Sequence, residues 1–143
     1  MEDHLFILLV EDQPDQALLV QDALKEDNGF TLLPVVKSGE EAIAYLSGER
    51  EYGDRASYPF PFLMLLDLKM PGIGGFGVLR WLQSHPEVSQ KLHTVVLSSA
   101  QSSREIELAG ELGLKHYWVK SDWMLLRQRI RQLKTSLGEQ DPW

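Results

Sequence analysis

Two short, wholly apolar runs, each ending in acid, constrain this chain more than any other feature. Phe62-Leu63-Met64-Leu65-Leu66 stops at Asp67 and opens into the turn-forming stretch Leu68-Lys69-Met70-Pro71-Gly72. A run that short and that apolar reads as a strand buried on both faces of a parallel sheet. Its closing carboxylate then emerges at the carboxyl edge, where open α/β sheets place their ligands. Phe6-Ile7-Leu8-Leu9-Val10 repeats the arrangement and ends in Glu11 and Asp12, with Pro14 at a suitable first helical position. If the two strands are neighbours, three carboxylates converge, and their repulsion asks for a cation. All three are hard oxygen donors and the chain has no cysteine, which favours Mg2+ over zinc.

Strand and helix patterns alternate along the rest of the chain. Ala17, Leu18, Val20, Ala23 and Leu24 recur at helical spacing up to Asn28-Gly29, and Phe30 to Val36 is a second strand that Pro34 places at a sheet edge. Ser38 and Glu41 have capping-box spacing and open a helix carrying Ala42, Ile43, Tyr45 and Leu46, which Gly48 ends. Glu49 to Pro61 is long for a connection within an α/β unit; it reads as an insertion, a partner contact or a mobile loop. After Asp67, Gly74 and Gly75 precede a helix with Val78, Leu79, Trp81 and Leu82, ended near His85-Pro86. Thr94 to Leu97 is a fourth strand, Ser102 with Glu105 a second capping box, and Gly113 the end of that helix. His116 to Val119 is a fifth strand running into Lys120, and Trp123, Leu126, Ile130, Leu133 and Leu137 form the apolar stripe of a last helix. Five such units with short crossovers predict an α/β, doubly wound, flavodoxin-like (βα)5 fold: a five-stranded parallel sheet in the order 2-1-3-4-5. That order makes the first and third strands neighbours, as the carboxylates require.

At 143 residues the chain fits one domain of ordinary size, read as 1–137 with a short tail over 138–143. A net charge of −7 argues against nucleic-acid binding. The local run Arg127, Arg129, Arg131 and Lys134 reads first as the solvated face of the last helix. Zero cysteines fit a reducing compartment, and no run suits a signal peptide or a membrane span, so a cytoplasmic protein with no membrane partner is expected. His4, His85, His93 and His116 lack ligand-like spacing, and Gly72, Gly74, Gly75 and Gly77 match no phosphate-loop fingerprint; the glycines shape a turn.

The residues expected at the strand ends are Glu11 and Asp12, Asp67, Ser98 and Lys120. Alone, Asp67 could cap a turn, Asp12 a helix, and Lys120 could simply be solvated. Together they fit one reaction. A carboxylate can attack a phosphoryl group when the repulsion between the two anions is screened. A metal on the acidic pair and the Lys120 ammonium would screen it, and the Ser98 hydroxyl would hydrogen-bond the transferred group.

In Val10-Glu11-Asp12, Leu66-Asp67-Leu68-Lys69-Met70-Pro71-Gly72, Leu97-Ser98-Ser99-Ala100 and Val119-Lys120, the chain resembles the CheY-like receiver domain of two-component response regulators over nearly its whole length. The resemblance implies that Asp67 is the phosphoacceptor, that Glu11, Asp12, Asp67 and the backbone carbonyl of Lys69 hold Mg2+, and that Ser98 and Lys120 contact the phosphoryl group. Ser99 is the competing hydroxyl. Tyr117 matches the aromatic residue that turns inward on activation, and Lys69 a position that influences dephosphorylation. Ser121 departs from the family, which usually has proline after the lysine. That departure, the long loop before the third strand and the lack of an output domain look more like the single-domain receivers that accompany phytochrome-type histidine kinases. A histidine kinase, a downstream protein and a homodimer through the face of the fourth helix, fifth strand and fifth helix are the partners implied, with no small-molecule turnover expected. Two rival readings are a haloacid-dehalogenase-like phosphatase or phosphotransferase, disfavoured because Lys69 stands where its second Asp belongs, and a binding module indifferent to phosphorylation.

Overall fold

The two acid-tipped runs are strands β1 (Leu5–Val10) and β3 (Leu63–Asp67), and they pair in parallel with Val10 opposite Leu66. A computed structural model describes residues 5–25, 30–98, 103–113, 116–119, 126 and 128–132. With β2 (Phe30–Leu32), β4 (His93–Ser98) and β5 (His116–Val119), these strands form one parallel sheet in the order β2-β1-β3-β4-β5. The central strands read as continuous apolar runs because both of their faces are covered. Leu8, Val10, Met64, Leu66 and Val96 pack with Ala42, Tyr45, Leu46, Val78, Leu79 and Leu82. Their alternate neighbours Ile7, Leu9, Leu63, Leu65, Val95 and Leu97 pack with Ala17, Val20, Ala23 and Leu24, and with Leu126 and Ile130. Helices therefore lie on both faces, as in a doubly wound fold. Of the apolar stripe expected on the last helix, Leu126 and Ile130 are buried, whereas Trp123, Leu133 and Leu137 lie outside the described residues.

Helices α1 (Pro14–Leu24), α2 (Gly39–Ser47), α3 (Gly74–Gln83) and α4 (Ser103–Glu111) follow successive strands, and a single helical turn, Pro86–Ser89, precedes β4. Pro14 occupies the start of α1, where a missing N–H costs nothing. The Ser38 Oγ accepts from the Glu41 N–H at 3.0 Å, and Gly48, at φ 71°, closes α2 in the left-handed conformation.

Two local expectations change. The second strand stops at Leu32 instead of Val36, leaving an isolated bridge between Val36 and Val10. Pro34 explains this: Leu33 donates to Ile7 O and Val36 to Leu9 O, so three steps on one strand face two on the other, with the prolyl residue bulged between them. The connection from Glu49 to Pro61 is a packed structure. It contains a short 3-10 helix, Arg50–Gly53, and its tyrosines close on α2: the Tyr45 and Tyr52 rings are 4.7 Å apart, and Tyr58 stands edge-on to Tyr52 at 5.1 Å. The Tyr45 hydroxyl donates to Pro59 O at 2.9 Å and the Tyr52 hydroxyl to Glu41 Oε2 at 2.8 Å. Arg55 donates to Leu46 O at 3.0 Å and lies 5.7 Å from the centroids of both Tyr45 and Phe60. Among the described residues, no helix is long and apolar enough to cross a membrane.

Candidate functional site

The register of the central strands builds the site. Because Val10 pairs with Leu66, Glu11 leaves β1 one step beyond that pair, beside Asp67 at the end of β3, with strands about 5 Å apart. Glu11 and Asp67 are both buried, at 2% and 5% exposure, which is unusual for acids and needs compensation. Part of it comes from the backbone. The Gln13 N–H donates to Glu11 Oε2 at 3.2 Å, and the Lys69 N–H donates to Asp67 Oδ1 at 3.1 Å. The latter bond spans two residues and fixes the rotation of the Asp67 carboxylate as the chain turns away from the sheet.

Glycine makes that turn compatible with the start of α3. Gly72 has φ +77°, and a Cβ there would lie 2.7 Å from Glu40 Oε2. A Cβ on Gly75 would lie 2.5 Å from Asp67 O and 2.7 Å from Leu68 Cα, so α3 can seat directly against the end of β3 only without a side chain there. The Gly75 N–H completes the seat by donating to Leu68 O at 3.2 Å.

One carboxylate oxygen from each of Glu11, Asp12 and Asp67 falls within a group whose members all lie within 4.8 Å of one another. Asp12 Oδ1 is buried without a hydrogen-bond partner. A cluster of three carboxylates, with one Asp12 oxygen buried and unpartnered, suits a hard divalent cation, which would neutralise the crowding. The donor set contains no sulfur or imidazole, and it fits Mg2+ or Mn2+ better than zinc.

The sheet also positions the other expected residues, to differing extents. Asp67 pairs with Leu97 in register, so the backbone of Ser98, the last residue of β4, lies one step past Asp67's partner. Tyr117 pairs with Val96 within β5, and Ser98 with Val119. The side chains of Ser98 and Tyr117, and all of Ser99, Lys120 and Ser121, lie outside the described residues. The side chain of Lys69 is exposed and reaches Glu105 of α4, Nζ to Oε2 3.8 Å. The sequence places Glu105 only in a capping box with Ser102, which lies outside the described residues, and no local spacing reveals its approach to residue 69.

The profile of the response regulator receiver domain family matches residues 7–131. Response regulator Rcp1 of Synechocystis sp. is 33% identical over 115 residues, covering 80% of this chain and 76% of Rcp1. The crystal structure of the Mn2+-bound form of Rcp1 is similar with a TM-score of 0.77 and 30% identity, over 88% of this chain and 91% of that one. That of the phosphorylated cyanobacterial phytochrome response regulator RcpA gives a TM-score of 0.80 and 30% identity, over 90% and 92%. An acidic cluster at the carboxyl edge of a doubly wound sheet and a family match over most of its length agree: this chain belongs to the response regulator receiver domain family.

Proposed function

We propose that this protein is a response regulator whose residues 1–137 form a (βα)5 receiver that takes a phosphoryl group from a histidine kinase onto Asp67. The observation that carries the reading is the convergence of Glu11, Asp12 and Asp67, with one Asp12 oxygen buried and unpartnered. In the transfer, an Asp67 carboxylate oxygen bonds to phosphorus as the bond from phosphorus to the donor imidazole nitrogen breaks, and the departing histidine takes up a proton. The Lys69 N–H holds Asp67 Oδ1, so the carboxylate meets the donor already oriented. Glu11, Asp12, Asp67 and the Lys69 carbonyl would hold Mg2+, whose charge screens the two anions from each other. Burial of Glu11 and Asp67 lowers the local dielectric and strengthens this screening.

Ser98 and Lys120 act on the transferred group, the hydroxyl by a hydrogen bond and the ammonium by its charge, with Ser99 the alternative hydroxyl. Tyr117 turns inward as they do so, changing the face made by α4, β5 and the last helix, which a second copy or a downstream protein then reads. Rcp1 and RcpA, one of them named as a phytochrome response regulator, support a phytochrome-type kinase as the donor. The protein would turn over no small-molecule substrate beyond its own modification. Incubation with acetyl phosphate and Mg2+ followed by intact-mass measurement tests the assignment. One phosphoryl adduct is expected in the wild-type chain and none in Asp67→Asn; an adduct that survives this substitution sinks the reading.

A further inference from the structure

Lys69 links the turn after Asp67 to α4. Lys69 donates its backbone N–H to Asp67 Oδ1 at 3.1 Å, while its ammonium lies 3.8 Å from Glu105 Oε2. Helix α4 is lightly seated: Ala109 is buried, but Ile106 is 45% exposed, and its C-terminal end accepts a long bond, 3.4 Å, from Gln83 Nε2 to Glu111 O. The ion pair is weak by construction. Its partners are separated beyond hydrogen-bonding range, and their side chains are 54% and 21% exposed.

We propose that Glu105 is a positioning residue for phosphoryl transfer: it holds the Lys69 ammonium toward α4 in the unmodified protein and yields it to the phosphoryl oxygens when Asp67 is modified. This rests on the reading of Asp67 as phosphoacceptor. A phosphoryl group carries nearly two negative charges against one on Glu105, and it would be attached two residues from Lys69, within the compass of a flexible lysine stem. Glu11 and Asp12, which cluster with Asp67, would be engaged by the cation in that state. Exchange of partner by Lys69 therefore converts new charge at Asp67 into a released N-terminal turn of α4, a helix with little core burial to hold it. The device needs no movement of the sheet.

The test measures adduct formation from acetyl phosphate with Mg2+ in wild type, Glu105→Gln, Lys69→Gln and the double variant, with hydrogen exchange of the α4 amides read alongside. Freed from Glu105, Lys69 attracts the anionic donor, so Glu105→Gln forms the adduct about 2- to 5-fold faster at low salt. The gain disappears at ~1 M salt, where exposed charges are screened, and in the Lys69→Gln background. Amides over 103–111 exchange faster in unmodified Glu105→Gln, approaching the phosphorylated wild type. A gain of the same size without Lys69 would mean that Glu105 acts through its general field, and it overturns the proposal, as does no gain at all. If wild type takes no adduct, the phosphoacceptor reading fails; the exchange measurement on unmodified protein still reports on the tie, and unchanged α4 exchange there overturns it independently.

Discussion

Asp12 carries a conflict that the fold leaves for a ligand to resolve. Its Oδ1 is buried without a hydrogen-bond partner, and one of its carboxylate oxygens lies within 4.8 Å of oxygens of Glu11 and Asp67. Without a cation this arrangement stores repulsion, and with one it becomes a binding site. Asp12→Asn is therefore expected to stabilise the metal-free protein by about 1 kcal/mol, since it removes one of three crowded charges. The same change should abolish most of the rise in melting temperature that MgCl2 produces in the wild type. Thermal melts in EDTA and in MgCl2 check both halves, and a variant less stable than wild type in EDTA contradicts the account. Gly75 is the other decisive single residue, because even a methyl group there would sit 2.5 Å from Asp67 O. Gly75→Ala should cost about 2–4 kcal/mol in urea melts and weaken Mg2+ binding, since α3 must move away from the turn carrying Lys69. Asp67, Glu11 and Asp12 were legible in sequence because a strand end is a local feature; the Glu105 approach to Lys69 was not, because the two residues stand 36 positions apart in the chain.

At the level of elements, the segment between α2 and β3 departs most from its sequence reading. Its length and its Gly, Pro and charged residues resemble those of a mobile loop, yet Tyr45, Tyr52 and Tyr58 close into an aromatic cluster bridged by Arg55. Offset and edge-on pairs of this kind add about 0.5–1.5 kcal/mol each beyond their area. The Arg55 guanidinium is committed to Leu46 O and Tyr58 O, which withdraws its peptide bond from the extended path that a protease needs. Brief trypsin digestion under native conditions should thus leave the chain uncut after Arg55. Tyr45→Phe, which loses the bond to Pro59 O, should make that cut appear, and equal cleavage in both proteins would contradict the packed arrangement.

The molecule as a whole inherits a pH limit from this cluster. Burial pushes the Tyr45 phenol from 10.0 up to about 12, against a smaller lowering by Arg55. Tyr52 is pushed up too, by burial first and then by its hydrogen bond to Glu41 and the charge of that carboxylate. The sign follows from proton counting. Below pH 10 both folded and unfolded chains keep these protons, and stability is unaffected. Between 10 and 12 the unfolded chain ionises ahead of the folded one, so stability falls as pH rises, by about 2 kcal/mol for Tyr45 once pH 12 is reached. Urea melts from pH 8 to 12 should show this decline, and Tyr45→Phe should make it shallower, with the share of Tyr52 remaining, despite starting about 1 kcal/mol lower at pH 8. A variant whose stability falls as steeply as that of wild type excludes Tyr45 as the source.

The alternation of apolar runs with amphipathic stretches determined, from sequence alone, the order of elements, the doubly wound architecture and the delivery of Glu11, Asp12 and Asp67 to one edge. These follow from periodicity and from strand ends, which each short segment encodes for itself. Only the tertiary structure decided that Pro34 would bulge β2, that the tyrosine segment would fold onto α2, and that Lys69 would meet Glu105. Those outcomes depend on which side chains are brought together once the sheet has formed. The entropy of closing a loop grows only slowly with its length, so the contacts available on the surface beneath it, rather than the local pattern, choose its conformation.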